Sequence, residues 1–103
     1  MDVVERIYIK EELIDYIAHI TLDTRTHGDL FLGASPRASL AIMQSAKAYA
    51  ALNARNFVTP DDVQFVAYHV LNHRIILTPE REMEGMEVLD VVKDIIAKVE
   101  VPR

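Results

Sequence analysis

Hydrophobic residues recur at helical spacing in several stretches of the chain, with polar residues on the opposite faces. In the first stretch Leu13, Ile14, Ile17 and Ile20 form one stripe, as expected for a helix that buries one face. A later stretch repeats the spacing with Val63, Val66, Ala67 and Val70, and the last one with Val88, Val91, Val92, Ile95 and Val99. With an alanine-rich stretch between the first two, the pattern predicts four main helices, at residues 11–22, 36–52, 59–71 and 87–99.

The segments between these helices have weaker patterns. Residues 3–9 alternate in part and suggest an extended linker, residues 24–30 a polar loop, and residues 73–77 a second extended segment. Thr78 and Pro79 begin a short acidic helical turn that Gly85 interrupts, and Asn53 and Asn56 are candidates for left-handed residues that end the second helix. The predicted fold is all-α, a compact antiparallel bundle of about four helices.

The second helix has only a narrow polar stripe, formed by Arg37, Gln44 and Lys47. Residues seven apart lie nearly on one face of a helix, so Arg37 should point away from the core. Leu40 and Ile95 are predicted to lie in that core, and a charged residue at either position should unfold the domain.

Composition limits the function classes. A chain of 103 residues, half of them hydrophobic and 26% charged, is one globular domain. Its net charge of −5 argues against a nucleic-acid module, which normally carries a basic face. Without cysteine there is no disulfide, thiolate metal site or cysteine nucleophile, which fits a cytoplasmic protein. No apolar run approaches the roughly 20 residues that cross a bilayer.

The start of the second helix has an unusual charge. Ser35 is a good N-cap and Pro36 suits the first helical position, but the next residue is Arg37 and the first turn holds no acid. A cation there is unfavourable by about 0.3–1 kcal/mol, because the helix N-terminus is itself positive. Two other cap-proline starts, at Thr59 and Thr78, are followed by acids. A guanidinium at a helix N-terminus indicates an anion site, with phosphate the leading candidate.

The segment Gly33-Ala34-Ser35-Pro36-Arg37-Ala38 resembles the sensor 2 motif of AAA+ ATPases of the MoxR family. The resemblance continues through residues 39–41, 47–48, 57–63 and 70–80, so it covers nearly the whole chain in order and spacing. Ala54 stands where the family often has glycine, and Lys10 where a Ser or Thr cap is common.

The resemblance implies a C-terminal helical lid that is a fragment of a longer protein, with residues 1–9 as the linker from an N-terminal AAA+ domain. It implies that Arg37 reaches the γ-phosphate of ATP, with Gly33, Ala34, Ser35 and Pro36 close to the nucleotide. ATP and Mg²⁺ would be cofactors of the parent, with none bound to the fragment. The parent would be a cytoplasmic, ring-forming, chaperone-like homo-oligomer that matures client complexes, with von Willebrand A-type partners among them.

The chain lacks a glycine-rich loop ending in Lys-Ser/Thr and an apolar strand ending in Asp-Glu, the parts that bind phosphates and Mg²⁺. It therefore cannot hydrolyse ATP alone.

Each candidate also has a structural interpretation. Arg37 could pair with Asp29, and Gly33 and Ala34 could simply form a tight turn. Asp61 and Asp62 could cap a helix rather than form a carboxylate site. His69 and His73 have the spacing of metal ligands, but Val70 stands where the zinc-protease motif has an acid and the predicted helix frays near Leu71, so no metal site is predicted. A tie between a loop and a helix end explains His73. The acidic residues 80–87 are either a solvated surface or a docking patch.

Two other functions remain open for the whole chain. One is a freestanding helical domain that binds a protein or peptide through an apolar groove. The other is a nucleic-acid binder, because the third helix after a short turn could imitate a helix-turn-helix element. The acidic balance and the first-turn aspartates weigh against the second.

Overall fold

Helices dominate the computed structural model, which describes residues 6–28, 30–32 and 35–102. Within those ranges lie five helices and two short strands. In chain order they are α1 (Glu11–Thr26), β1 (Leu30–Leu32), α2 (Pro36–Leu52), α3 (Pro60–Asn72), β2 (Ile76–Leu77), α4 (Pro79–Met83) and α5 (Val88–Lys98). The predicted all-α class is confirmed, and α2 has the predicted bounds.

Helix α2 is central: it packs on α1 and α3, and α3 in turn packs on α5. Its inner face consists of Ala38, Ile42, Ala46 and Ala50, all fully buried. These residues are four apart and therefore share one face, and the alanines bring the neighbouring backbones close. Helices α1, α3 and α5 supply the other buried hydrophobic side chains of the helices, which are Leu13, Tyr16, Ile17, Ile20, Val63, Val66, Ala67, Leu71, Val91, Val92, Ile95 and Ile96.

The two strands pair antiparallel, with Leu30 opposite Leu77 and Leu32 opposite Ile76. The prediction of an extended segment at residues 73–77 is thus confirmed in its last part. The predicted loop at 24–30 is wrong at both ends, because α1 continues to Thr26 and residue 30 already belongs to β1. Helix α1 continues because Thr21 and Thr24 lie on its buried face, where their hydroxyls find hydrogen-bond partners.

The buried face of α1 is rotated from the predicted one. Ile14 is 41% exposed, whereas Tyr16 is almost fully buried. The Tyr16 ring fills the core while its hydroxyl accepts a hydrogen bond from Gln64 Nε2 at 3.0 Å, so no polar group is left unsatisfied. Burial, only partly offset by this bond, raises the pKa of Tyr16.

Leu40 and Ile95 were both predicted to be core residues, and only Ile95 is buried. Leu40 is 55% exposed, because it lies three residues from Arg37 on the outward face of α2. The face that α2 buries is the one marked by Ala38 and Ile42.

The turn after α2 reaches the left-handed region at Ala54, with φ 57°, and not at Asn53 or Asn56 as predicted. Asn53 is the C-cap, with φ −93°. The Ala54 N–H donates to Ala51 O and the Arg55 N–H to Ala50 O, the two bonds of a Schellman motif, which usually has glycine in this place.

The segment before α1 is anchored to the α2–α3 loop. The Tyr8 N–H donates to Asn56 O at 2.8 Å, and Tyr8 O accepts from the Val58 N–H at 2.9 Å. Tyr8 and Phe57 thereby form an isolated parallel bridge. Within the described residues this supports the extended segment predicted for 3–9, of which residues 3–5 lie outside the description.

Candidate functional site: the start of helix α2

The N-terminus of α2 is the candidate site. Ser35 is the N-cap in extended conformation and Pro36 follows at the first helical position, but the Ser35 side chain makes no capping hydrogen bond, contrary to the prediction. The Ala38 N–H donates to the Ser35 carbonyl at 2.9 Å instead. The first turn holds no acid. Gly33 and Ala34, predicted to belong to this site, lie outside the described residues.

Arg37 occupies the second helical position and is exposed. It makes no hydrogen bond or ion pair with any residue that the structure describes. Asp29, the alternative partner considered from the sequence, lies outside the described part. The guanidinium thus stands at the positive end of a 17-residue helix, where both charges would favour an anion.

The first turn of α2 is fixed from behind. Ala38 is fully buried, and Ser39 Oγ donates to Thr21 Oγ1 of α1 at 2.9 Å. Thr21 is 4% exposed. Sequence reasoning missed this contact. The available signal was a serine on a helix whose inward residues are otherwise apolar, together with a threonine one position after Ile20 on α1.

At the start of α3, by contrast, residues of the chain itself cap the helix. The Thr59 N–H donates to Asp62 Oδ2 at 2.8 Å and Asp62 N–H donates to Thr59 Oγ1 at 3.3 Å, which is a reciprocal capping box. The two terminal nitrogens of the Arg55 guanidinium donate to the two oxygens of the same carboxylate, each at 2.6 Å. The predicted capping role is confirmed for Asp62.

Asp62 is 1% exposed. Burial, the largest single influence on this carboxyl, opposes its ionisation. The bonds from Arg55 and from the Thr59 backbone and side chain together outweigh burial and lower the pKa of Asp62. A single carboxylate with this many donors is a structural tie.

The remaining candidates give no further site in the described residues. His69 meets the ring of Phe65 edge-on, with ring centres 5.0 Å apart, and no group of three or more His, Asp or Glu side chains comes together there to hold a metal. Helix α4 begins with a Thr78 cap on the Arg81 N–H and buries none of its side chains.

A second tie joins the loop after α1 to α5. His27 Nε2 lies 3.0 Å from Asp94 Oδ2, and Lys98 Nζ lies 3.1 Å from the same oxygen. The hydrogen bond that the Asp94 carboxylate accepts from His27, followed by the one that it accepts from Lys98, lowers the pKa of Asp94. No helix within the described ranges is long and apolar enough to cross a lipid bilayer.

Comparison with known proteins identifies the family. The AAA lid domain family matches residues 22–95, which include α2 and most of the bundle. The chain therefore belongs to the AAA lid domain family, and the resemblance to a lid of MoxR-type AAA+ ATPases, noted from the motif around Arg37, is confirmed.

Individual relatives agree with this assignment. The chain is 40% identical over 99 residues to the uncharacterized protein YeaC of Bacillus subtilis, covering 96% of this chain and 31% of YeaC. It is 30% identical over 105 residues to the chaperone MoxR1 of Mycobacterium tuberculosis, covering 93% of this chain and 28% of that protein.

A solved structure shares the whole fold. The crystal structure of a "putative ATPase" from Cytophaga hutchinsonii superposes with a TM-score of 0.93 at 34% identity, over 99% of this chain and 34% of that one. The chain thus spans about a third of the length of the relatives it matches.

Proposed function

We propose that this chain is the sensor 2 lid of a MoxR-like AAA+ ATPase and that Arg37 contacts the γ-phosphate of ATP held by the ATPase domain. The observation that carries the proposal is an exposed guanidinium at an acid-free helix start, without a partner among the described residues. Membership of the AAA lid family supports it.

The chemistry of the group suits the role. A guanidinium stays protonated at any working pH, and its planar fork can bind two phosphate oxygens at once. The N-terminus of α2 adds its own partial positive charge in the same direction. Ser35 and Pro36 present this end of the helix, and Gly33 and Ala34 are small enough for a nucleotide to approach their backbone.

Phosphate sensing follows from the difference between ATP and ADP. A ligand shifts a conformational equilibrium only through contacts that differ between the two states. The γ-phosphate contact exists with ATP and is lost after hydrolysis, so the lid would close on the ATPase domain with ATP and be released with ADP.

The rest of the machine lies outside this lid. ATP and Mg²⁺ would be bound by an ATPase domain N-terminal to the lid, which would be a fragment of that longer protein, and Arg37 would supply one charge to the site. The parent would be a cytoplasmic ring-forming homo-oligomer that matures client complexes, including von Willebrand A-type partners. The chaperone name of the mycobacterial relative supports this role.

The test replaces Arg37 in the intact protein that its gene encodes. Arg37→Ala should lower ATP turnover by at least roughly tenfold, because one preorganised charge on a phosphoryl-transfer site is worth that much or more. The melting temperature should change little, because the side chain is exposed. Gln44→Ala, on the same outward stripe, is the matched control.

Full turnover by Arg37→Ala would overturn the sensor assignment, and loss of folding would mean that the residue is structural.

A freestanding interaction domain is the alternative function, and one surface favours it. Tyr49 and Phe65 stack with ring centres 4.5 Å apart, and Phe65 is 45% exposed. An intact protein that shows no ATP turnover at all would favour this alternative.

A further inference from the structure

The contact behind Arg37 has a role in the site. We infer that Thr21 and Ser39 are positioning residues: their hydroxyl–hydroxyl bond fixes the rotation of the first turn of α2 and so the direction in which Arg37 points. The inference rests on the proposed function of Arg37 and assigns it a partner pair on the opposite side of the helix.

The geometry places the bond opposite the guanidinium. Successive residues of a helix are rotated by about 100°, so Ser39 lies roughly 200° around the helix from Arg37. Arg37 is exposed, and Ser39 faces α1 and bonds to Thr21 at 2.9 Å. A tie at this place restrains the helix end without occupying the surface that would meet a phosphate.

The tie is directional, unlike the contacts around it. The buried face of helix α2 consists of Ala38, Ile42, Ala46 and Ala50, and Tyr49 of α2 stacks on Phe65 of α3. These small, apolar or aromatic side chains make contacts that allow some rotation and sliding. A hydrogen bond weakens steeply when its angle changes. It lies within the first two turns, where the helix has no side-chain cap to restrain it.

The acceptor is itself held in place. Thr21 is 4% exposed and Thr24 is 1% exposed, and Thr24 Oγ1 donates to the Thr21 carbonyl at 2.6 Å. Polar groups buried this deeply need their partners. Thr21 is therefore held in place on α1, and its hydroxyl can orient the start of α2 through Ser39.

The experiment measures ATP turnover of the intact protein with Ser39→Ala, Thr21→Val and both changes, each also combined with Arg37→Ala. Either single variant should lower kcat about fivefold, the scale of one hydrogen bond, with no further loss in the double variant. Thr21→Ser, which keeps the hydroxyl, should retain turnover near the wild-type value.

The Arg37→Ala background separates positioning from folding. If the pair acts through the guanidinium, removing the Ser39 hydroxyl has no further effect once the guanidinium is gone. Ser45→Ala is the matched control, because Ser45 is a half-buried serine of the same helix with no hydrogen-bond partner in the described part of the chain.

Three results would overturn the assignment or its basis. Unchanged kcat in Ser39→Ala, with Arg37→Ala strongly impaired, would overturn the positioning role and leave the sensor role intact. An equal loss on Ser39→Ala in both backgrounds would show a general effect on folding. Unchanged turnover in Arg37→Ala would overturn the proposed function, and the positioning role with it.

Discussion

Helices α2 and α3 begin with the same device, a hydroxyl residue followed by proline, and then differ at the next two positions. At the second helical position α2 has Arg37 and α3 has Asp61; at the third, α2 has Ala38 and α3 has Asp62. Helix α3 closes its own end with a capping box and an ion pair to Arg55. Helix α2 has neither acid nor side-chain cap.

The difference separates two uses of a helix start. At α3 the backbone N–H groups and the positive helix end are neutralised within the chain, which is what stability alone would favour. At α2 no side chain caps the N–H groups and no acid neutralises the helix end, and Arg37 adds a second positive charge. A departure from local rules of this kind is expected where a site binds something from outside.

The largest difference in stability is expected between a charge placed on the buried face near the start of α3 and a charge placed on the exposed face near the start of α2. Val63→Asp places a charge at a fully buried position of α3 and should cost roughly 4 kcal/mol or more, enough to unfold much of the protein. Leu40→Asp, at an exposed position of α2, should change stability by less than about 0.5 kcal/mol.

Urea denaturation at neutral pH compares these two variants directly. If Leu40→Asp unfolded the protein as readily as Val63→Asp, the description of α2 as outward-facing at Leu40 would be wrong.

Removing the internal closure of α3 should be the next largest effect. Asp62→Ala loses the capping bonds and should cost about 2 kcal/mol. Because the pKa of Asp62 is lowered in the folded protein, its contribution is complete above the unfolded aspartate pKa of about 3.9 and is lost as pH falls through the lower folded pKa.

The stability difference between wild type and Asp62→Ala should therefore shrink as pH falls from about 5 toward 2. Denaturation midpoints along a pH series measure it, with Asp61→Ala as the control at the neighbouring exposed acid. A difference that stayed constant with pH would contradict the lowered pKa.

Exchanging the charges of the two starts should have a smaller and opposite effect at each. Arg37→Glu should stabilise the protein by about 0.5 kcal/mol, and Asp61→Arg should destabilise it by a similar amount, through the helix dipole. Thermal unfolding at low salt resolves both, and added salt should reduce them. Destabilisation by Arg37→Glu would instead indicate that an acid of the chain holds the arginine.

The smallest effect concerns the turn that joins the two helices. Ala54 has φ 57°, a conformation that costs a side-chain-bearing residue about 1–2 kcal/mol. Ala54→Gly relieves that cost but loses more backbone entropy on folding, so the net gain should be about 0.5 kcal/mol or less. Ala51→Gly, inside α2, should destabilise and serves as the opposite control.

The sequence was a good guide where one local rule acted alone. Proline at Pro36 and the loss of helical pattern after Leu52 gave the bounds of α2, and the acids after Thr59 gave the capping of α3. The sequence was a poor guide where tertiary packing determines the structure. Tyr16, not Ile14, is the buried residue, because its hydroxyl has a hydrogen-bond donor in Gln64. The pairing of β1 with β2 depends on residues far apart in the chain.

The candidate site was predictable in part for the same reason. The exposure of Arg37 followed from the periodicity of its helix. The bond between Ser39 and Thr21 did not, because it requires α1 and α2 to be adjacent and the buried face of α1 to extend past Ile20. The left-handed Ala54 was missed because the neighbouring asparagines adopt that conformation more readily.

The parallel bridge at Tyr8 has a mechanical consequence. Its two backbone bonds, to Asn56 and from Val58, lie on either side of one residue and would be loaded together by tension on the preceding chain. That tension would be delivered to the loop between α2 and α3 before it reached α1. This loop begins where α2 ends, and Arg37 lies in the first turn of that 17-residue helix, so a displacement of the loop would have to pass along the whole length of α2 to reach the guanidinium.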